Sequence, residues 1–191
     1  LAEFNSKKRN QIKRERRQAN EGLDIKVIVG NDLKKEHWES MYNLYINTTQ
    51  KKWANDYLTK EFFEYLEQNF QENAVIILVK KDNKYIAGAL NFRKDKHLYG
   101  RYWGCLEEYQ CLHFEVCYYK AIEYAISENI VLFEAGAQGE HKLQRGFLPE
   151  YTYSSHWFEN NRFYDAISTY LLEEKRQIDD VMNQYKEIAP F

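Results

Sequence analysis

Between residues 133 and 145 the chain gathers the side chains most able to do chemistry. The stretch Phe133-Glu134-Ala135-Gly136-Ala137-Gln138-Gly139-Glu140-His141-Lys142, continued by Arg145-Gly146-Phe147-Leu148-Pro149, follows the apolar run Ile130-Val131-Leu132-Phe133. That run reads as a short buried strand, and the glycines read as the turn after it. A strand that ends in the carboxylate of Glu134 and opens into Gly136-x-x-Gly139 leaves backbone N–H groups uncovered. Those N–H groups, with Gln138, suit a developing oxyanion. His141 suits a proton, and Lys142 and Arg145 suit an anionic substrate. The same residues also make an ordinary strand-to-helix turn with charges for solubility, and the spacing alone leaves both readings open.

Two further segments offer candidates. Over 97–104 the two-residue period places Tyr99, Arg101 and Trp103 on one face, with Leu98, Gly100 and Tyr102 on the other. An arginine between two large aromatics is either a recognition surface or a solvent-facing ladder. Over 113–128 the pattern predicts the strongest helix, with Phe114, Cys117, Tyr118, Ala121 and Ala125 as its core stripe and Glu115 at the stripe's edge. Burial there would raise the Glu115 pKa and fit it for general acid or base work, provided no cation compensates. His113 lies two positions from Glu115, on nearly the opposite side of a helix, so a shared metal is not expected. His97, His113, His141 and His156 also lack zinc-ligand spacing, and no metal is assigned.

The elements that must position these residues can be read in order. Residues 1–23 form a basic helix rich in Lys7, Lys8, Arg9, Lys13, Arg14, Arg16 and Arg17, stopped at Gly22. It is either a solvated arm or an anion site facing phosphates, for instance an RNA acceptor stem. Residues 24–191 form the main domain. A first strand at 24–29 leads to two aromatic helices, one capped by Asp32 and the other starting near Tyr57 under Asp56 or Thr59. Strands at 74–80, 84–92 and 97–104 follow as an antiparallel meander. After the loop come a last strand at 151–158 and a helix from about 162 to 188, whose apolar residues keep a near-heptad rhythm. That helix has length to spare for a partner, a missing part of the protein or a second copy.

At 191 residues with a net charge of -2, no global field selects a partner. Aromatic content of 16% excludes a disordered chain. No apolar run approaches the roughly 18 residues needed to span a bilayer, and no charged-then-apolar leader is present. Cys105, Cys111 and Cys117 have no close pairing, which fits a reducing, cytoplasmic compartment.

With Leu98-Tyr99-Gly100-Arg101-Tyr102-Trp103-Gly104, His113-Phe114-Glu115-x-Cys117-Tyr118-Tyr119, the 133–149 stretch and Thr152-Tyr153-Ser154-x-His156, the chain resembles the FemAB-like branch of the GNAT acyltransferase superfamily, bacterial proteins of peptidoglycan biosynthesis or recognition. The resemblance covers essentially the whole chain. It implies an α/β (α+β) GNAT-like fold with a mixed, mostly antiparallel sheet flanked by helices, and a second lobe before the part seen here. It also implies transfer of an acyl or aminoacyl group to an amine, with acyl-CoA or aminoacyl-tRNA as donor and a small-molecule or peptidoglycan-precursor acceptor. On that reading Glu115 or His141 is the base, and N–H groups of 136–139 with Gln138 are the oxyanion donors. Glu134 orients His141 or binds the amine, while Arg101, Trp103, His113, Gly136, Gly139, Lys142 and Arg145 contact substrate. One departure stands out: the connection Cys105-Leu106-Glu107-Glu108-Tyr109-Gln110-Cys111-Leu112 has no glycine and two adjacent glutamates, which would repel a pyrophosphate. A recognition module without turnover, or an RNA-binding module using the basic helix, are the competing readings.

Overall fold

Six consecutive apolar residues, Ala74-Val75-Ile76-Ile77-Leu78-Val79, are too hydrophobic for a strand with a wet face, and all six are buried. They belong to β2 (Ala74–Lys81), an interior strand of a five-stranded sheet. The computed structural model describes residues 1–51, 56–136 and 140–190. These fall into two compact units, Asn10–Gln138 and Leu1–Arg9 with Gly139–Phe191.

The larger unit holds the sheet, in the order β1 (Asp24–Val29), β2, β3 (Lys84–Lys94), β4 (His97–Cys105), β5 (Leu132–Glu134). The first four are antiparallel neighbours and β5 runs parallel to β4. The β2–β3 turn is Asp82-Asn83, both with positive φ (46° and 64°), the two-residue geometry that matches strand twist. On one face Ile76, Leu78 and Leu90 pack under Trp38, Met41, Leu44, Phe63 and Leu66 of α2 (Lys35–Lys51) and α3 (Lys60–Asn69). On the other, Val75, Ile77, Val79, Ala87, Ala89 and Leu98 meet Leu112, Val116, Ala121 and Ala125. These last four come from one helical stretch: α4 (Leu112–Phe114), a π turn (Glu115–Tyr119) and α5 (Lys120–Ser127).

The helix starts differ from the sequence expectation. Thr59 does cap α3, accepting the Phe62 N–H, but the helix begins at Lys60 rather than near Tyr57. Asp32 instead sits in a short 3-10 turn (Gly30–Asp32), and α2 is closed by His37, whose Nδ1 accepts the Lys34 N–H at 3.0 Å. His37 thus fills the place of the glutamate in a capping box, and it does so only while neutral. Burial lowers its pKa, with the Lys34 and Lys80 charges adding to this and Glu36 opposing. A depressed folded pKa means that the unfolded chain binds the proton first. The cap's stabilisation, about 1 kcal/mol, is therefore full above the ordinary imidazole value near 6.5 and is lost as pH falls through the lower folded value. Urea midpoints measured between neutral pH and pH 5 should show this loss. His37→Gln keeps an acceptor that does not titrate, and the wild-type-minus-variant difference should shrink on the acid side.

One strand expectation fails, and another holds only in part. Residues 151–158 form no strand, and Tyr153 and Trp157 are 90% and 81% exposed. The alternation is present, but the smaller unit offers no strand among its described residues for this segment to pair with. The run 130–133 yields a strand, though not a buried one. β5 is three residues long with Leu132 and Glu134 exposed, and Val131 is exposed ahead of it. The smaller unit is dominated by α6 (Asn161–Glu187), capped by Asn160 through the Arg162 and Phe163 N–H groups, and Tyr151 donates its hydroxyl to Asp179 on that helix. Among the described residues, no helix is long and apolar enough to cross a membrane.

Candidate functional site

β4 has two neighbours along its first three residues only. β5 pairs His97, Leu98 and Tyr99 with Leu132, Phe133 and Glu134 and goes no further. From Gly100 to Cys105 that edge of β4 has no ladder partner among the described residues. A parallel neighbour that stops short leaves backbone groups of β4 without a ladder partner, and unpaired strand edges can take extended ligands. Gly100 follows the last β4 residue paired with β5, and a Cβ there would lie 3.5 Å from the Glu134 carbonyl.

Aromatic rings gather at Trp103 of β4. Trp103 and His113 meet edge to face with centroids 5.3 Å apart, and His113 also meets Phe114 (5.6 Å) and Tyr118 (5.5 Å). The structure thus brings Trp103 and His113 together, two candidates that the sequence had placed on different elements. Arg101 behaves otherwise. It is the extra residue of a β-bulge: Leu90 pairs with Tyr102 and Asn91 with Gly100, leaving Arg101 without a partner on β3. Its guanidinium lies over the Tyr102 ring at 4.9 Å. The bulge also breaks the expected Tyr99/Arg101/Trp103 face. Tyr99 pairs with Phe92 on the α2/α3 side, while Trp103 pairs with Ala89 on the other side of the sheet. Tyr102 shares the α2/α3 face with Tyr99, and its phenol is pushed up to about 12 by burial and by the Tyr57 hydroxyl bonded to it. A flat aromatic platform for a sugar ring is therefore absent from this face.

Glu115 opens the π turn and is 0% exposed. The proviso attached to it in the sequence is not met, because a cation compensates. Arg16 of α1 (Ser6–Asn20) holds it in two parallel bonds, Nε to Oε2 and NH2 to Oε1, each 3.0 Å. The same guanidinium reaches Glu123 at 2.7 Å. Burial works against the Arg16 charge, but hydrogen bonds to Glu115 and Glu123 more than offset it and hold its pKa up; the Arg16 bond in turn lowers Glu123. The preceding residue of α1, Glu15, accepts the Tyr119 hydroxyl at 2.7 Å. Sequence reasoning missed Arg16, Glu15 and Tyr119 as a set. The available signal was Ile12, Glu15, Arg16 and Ala19 at helical spacing, of which Ile12, Glu15 and Ala19 are buried.

Glu134 ends β5, exposed, and Gly136 follows with φ 85°. Gln138 and Gly139 lie outside the described residues. His141, Lys142 and Arg145 belong to the smaller unit, on a 3-10 turn (Glu140–Arg145) that ends at Gly146, φ 91°. Arg145 is buried and donates NH1 to the His141 carbonyl at 2.9 Å. Partial burial of the His141 ring, then the charges of Arg145 and Lys142, lower its pKa, so the imidazole is neutral at pH 7. In the larger unit, Glu107 accepts the Tyr109 hydroxyl at 2.8 Å and lies 4.0 Å from Lys81, while Glu108 is exposed. No group of three His, Cys, Asp or Glu among the described residues could hold a metal ion.

The family model of FemAB-like proteins, described as peptidoglycan biosynthesis/recognition, matches residues 1–191. Among solved structures, an aminoglycoside acetyltransferase from an uncultured soil metagenomic sample, in complex with sisomicin, is 12% identical with a TM-score of 0.51, covering 74% of this chain and 98% of that one. A probable acetyltransferase is 12% identical with a TM-score of 0.50, over 72% of this chain and 97% of the other. An integron cassette protein from the mobile metagenome of V. cholerae is 13% identical with a TM-score of 0.50, over 76% and 98%. At such identities the likeness concerns the fold, and it bears out the GNAT-like α/β architecture. No curated protein matches the chain.

Proposed function

Because the chain belongs to the FemAB-like family, we propose that it is an acyl- or aminoacyl-transferase that passes an activated acyl group to an amine in peptidoglycan-precursor metabolism. The observation that supports this reading is the end of β5 opposite Tyr99, which leaves Gly100–Cys105 of β4 without a ladder partner among the described residues on the strand that carries the Trp103–His113 contact. Backbone groups of that edge suit the polar stem of an acyl carrier.

The reaction requires a base to take a proton from the acceptor ammonium. The freed amine bonds to the carbonyl carbon, the oxyanion collapses, and the carrier's sulfur or oxygen leaves with a proton. Glu115 is poorly suited to this task, since both its oxygens are committed to Arg16. Of the two candidate bases, His141 of the smaller unit is the one with an accepting nitrogen at pH 7, since partial burial lowers its pKa. Glu134, an exposed carboxylate at the end of β5, suits the acceptor's ammonium group. For the donor, the adjacent carboxylates of Glu107 and Glu108 in the glycine-free connection 105–112 argue against a pyrophosphate there, and so favour aminoacyl-tRNA over acyl-CoA.

Calorimetry with acetyl-CoA and with an aminoacyl-tRNA analogue, followed by mass spectrometry of amine acceptors, tests the reading. Product is expected from at least one donor, with an acid limb in the rate below the ordinary imidazole value near 6.5 and a loss of about a hundredfold or more in His141→Ala. Full turnover in that variant would remove His141 from the mechanism. Failure of both donors to bind or react would sink the transferase reading itself.

A further inference from the structure

The basic helix α1 turns its one acid inward and its spare cations outward. Ile12, Glu15 and Ala19 are buried, and Arg16 is taken up by Glu115 and Glu123. At 100° per residue the opposite arc carries Lys13, Arg14 and Arg17, all exposed, and Lys7 continues it toward the helix start. None of these four makes an ion pair among the described residues. With a net charge of -2 for the whole chain, this local excess is not the edge of a general positive field.

We propose that the outer face of α1 docks the phosphate backbone of a nucleic acid. The row from Lys7 to Arg17 is about 15 Å long, which matches roughly four phosphates of one strand at about 3.4 Å of axial spacing. Two of its members are arginines, whose fork bonds a phosphate in bidentate fashion. Between the cations lies Asn10, exposed and able to donate to a sugar or phosphate oxygen. The arc lacks any large apolar side chain to insert between lipid headgroups, which a stable interfacial helix needs. The site stands whether or not the transferase reading holds.

The test is fluorescence anisotropy of a labelled RNA hairpin with the full chain, titrated from about 50 to about 200 mM salt. Four phosphate contacts predict a log–log salt slope of about -3 to -4 and a loss of affinity of about a hundredfold over that range. The triple variant Lys13→Gln, Arg14→Gln, Arg17→Gln removes only exposed, unpaired cations and should fold as the wild type does. Its slope should fall to about -1, while Arg14→Lys with Arg17→Lys should keep most of the slope. No hairpin binding at low salt overturns the proposal. So does equal binding by the triple variant, or binding to phosphatidylglycerol vesicles with none to the hairpin.

Discussion

Gly104→Ala will cost about 3 kcal/mol or more, and the variant will unfold at ordinary temperatures or fail to accumulate. β4 runs directly beneath α2 at this point. A Cβ on Gly104 would overlap the carbonyl of Leu44, and backbone cannot swing aside as a side chain can. Gly88 lies across from it on β3, with a built Cβ 2.7 Å from Leu78 Cδ2, 3.0 Å from the Ile77 carbonyl and 3.2 Å from Leu44 Cδ1. The pair of glycines therefore forms the shallow seat that lets α2 approach the sheet. Gly88→Ala should be less severe, because two of its three contacts are side-chain methyls that can rotate. Gly100→Ala is the control: its Cβ would meet nothing nearer than 3.5 Å, so its urea midpoint should move by less than about 1 kcal/mol equivalent. Equilibrium unfolding of the three variants decides the matter, and equal losses at Gly100 and Gly104 would refute the close approach of α2.

These glycines also show where the sequence is legible. The apolar run of β2, the two-residue turn at Asp82-Asn83 and the stripe of the 112–127 helix are local signals, each written within one period of its own element. They suffice for most of the sheet and for the layers around it. The candidate site depends on features with no local signature. The Arg101 bulge arises where β3 and β4 fall out of step, and it moves Tyr99 and Trp103 to opposite faces although their spacing is unchanged. The alternation at 151–158 is as regular as that of a real strand, but its own unit has no strand among the described residues for it to pair with. Glu115 was legible as a partly buried carboxylate, whereas its partner lies 99 positions away on a helix that reads either as a solvated arm or as an anion site.

That partnership predicts the second large effect. Removing either member of a buried, doubly bonded pair leaves the other charge desolvated and unmatched, which costs about 3–5 kcal/mol. Arg16→Met should fall in this range, since Glu115 has no exposed surface to relieve it. Glu115→Gln should lose less, because an amide oxygen still accepts from the guanidinium and Glu123 retains the other nitrogen. Arg16→Met combined with Glu115→Leu should recover a large part of the loss, as apolar replacements of buried ion pairs do. Glu123→Gln alone should cost less than about 1 kcal/mol, its carboxylate being half exposed. The cycle also bears on the site. The pair is anchored at the first residue of the π turn, while Tyr119, at its last residue, is held by Glu15 of the same helix. Bonds from α1 at both ends hold the helix in a wound-out turn that it would otherwise have little reason to keep. Without Arg16 the turn should relax toward regular α-helix, displacing His113 from Trp103 by a fraction of a turn. The near-ultraviolet circular dichroism of Trp103 should then change in Arg16→Met under conditions where the far-ultraviolet spectrum still reports a folded chain. An unchanged tryptophan signal together with a small stability loss would mean that α1 merely lies against the turn and does not hold it.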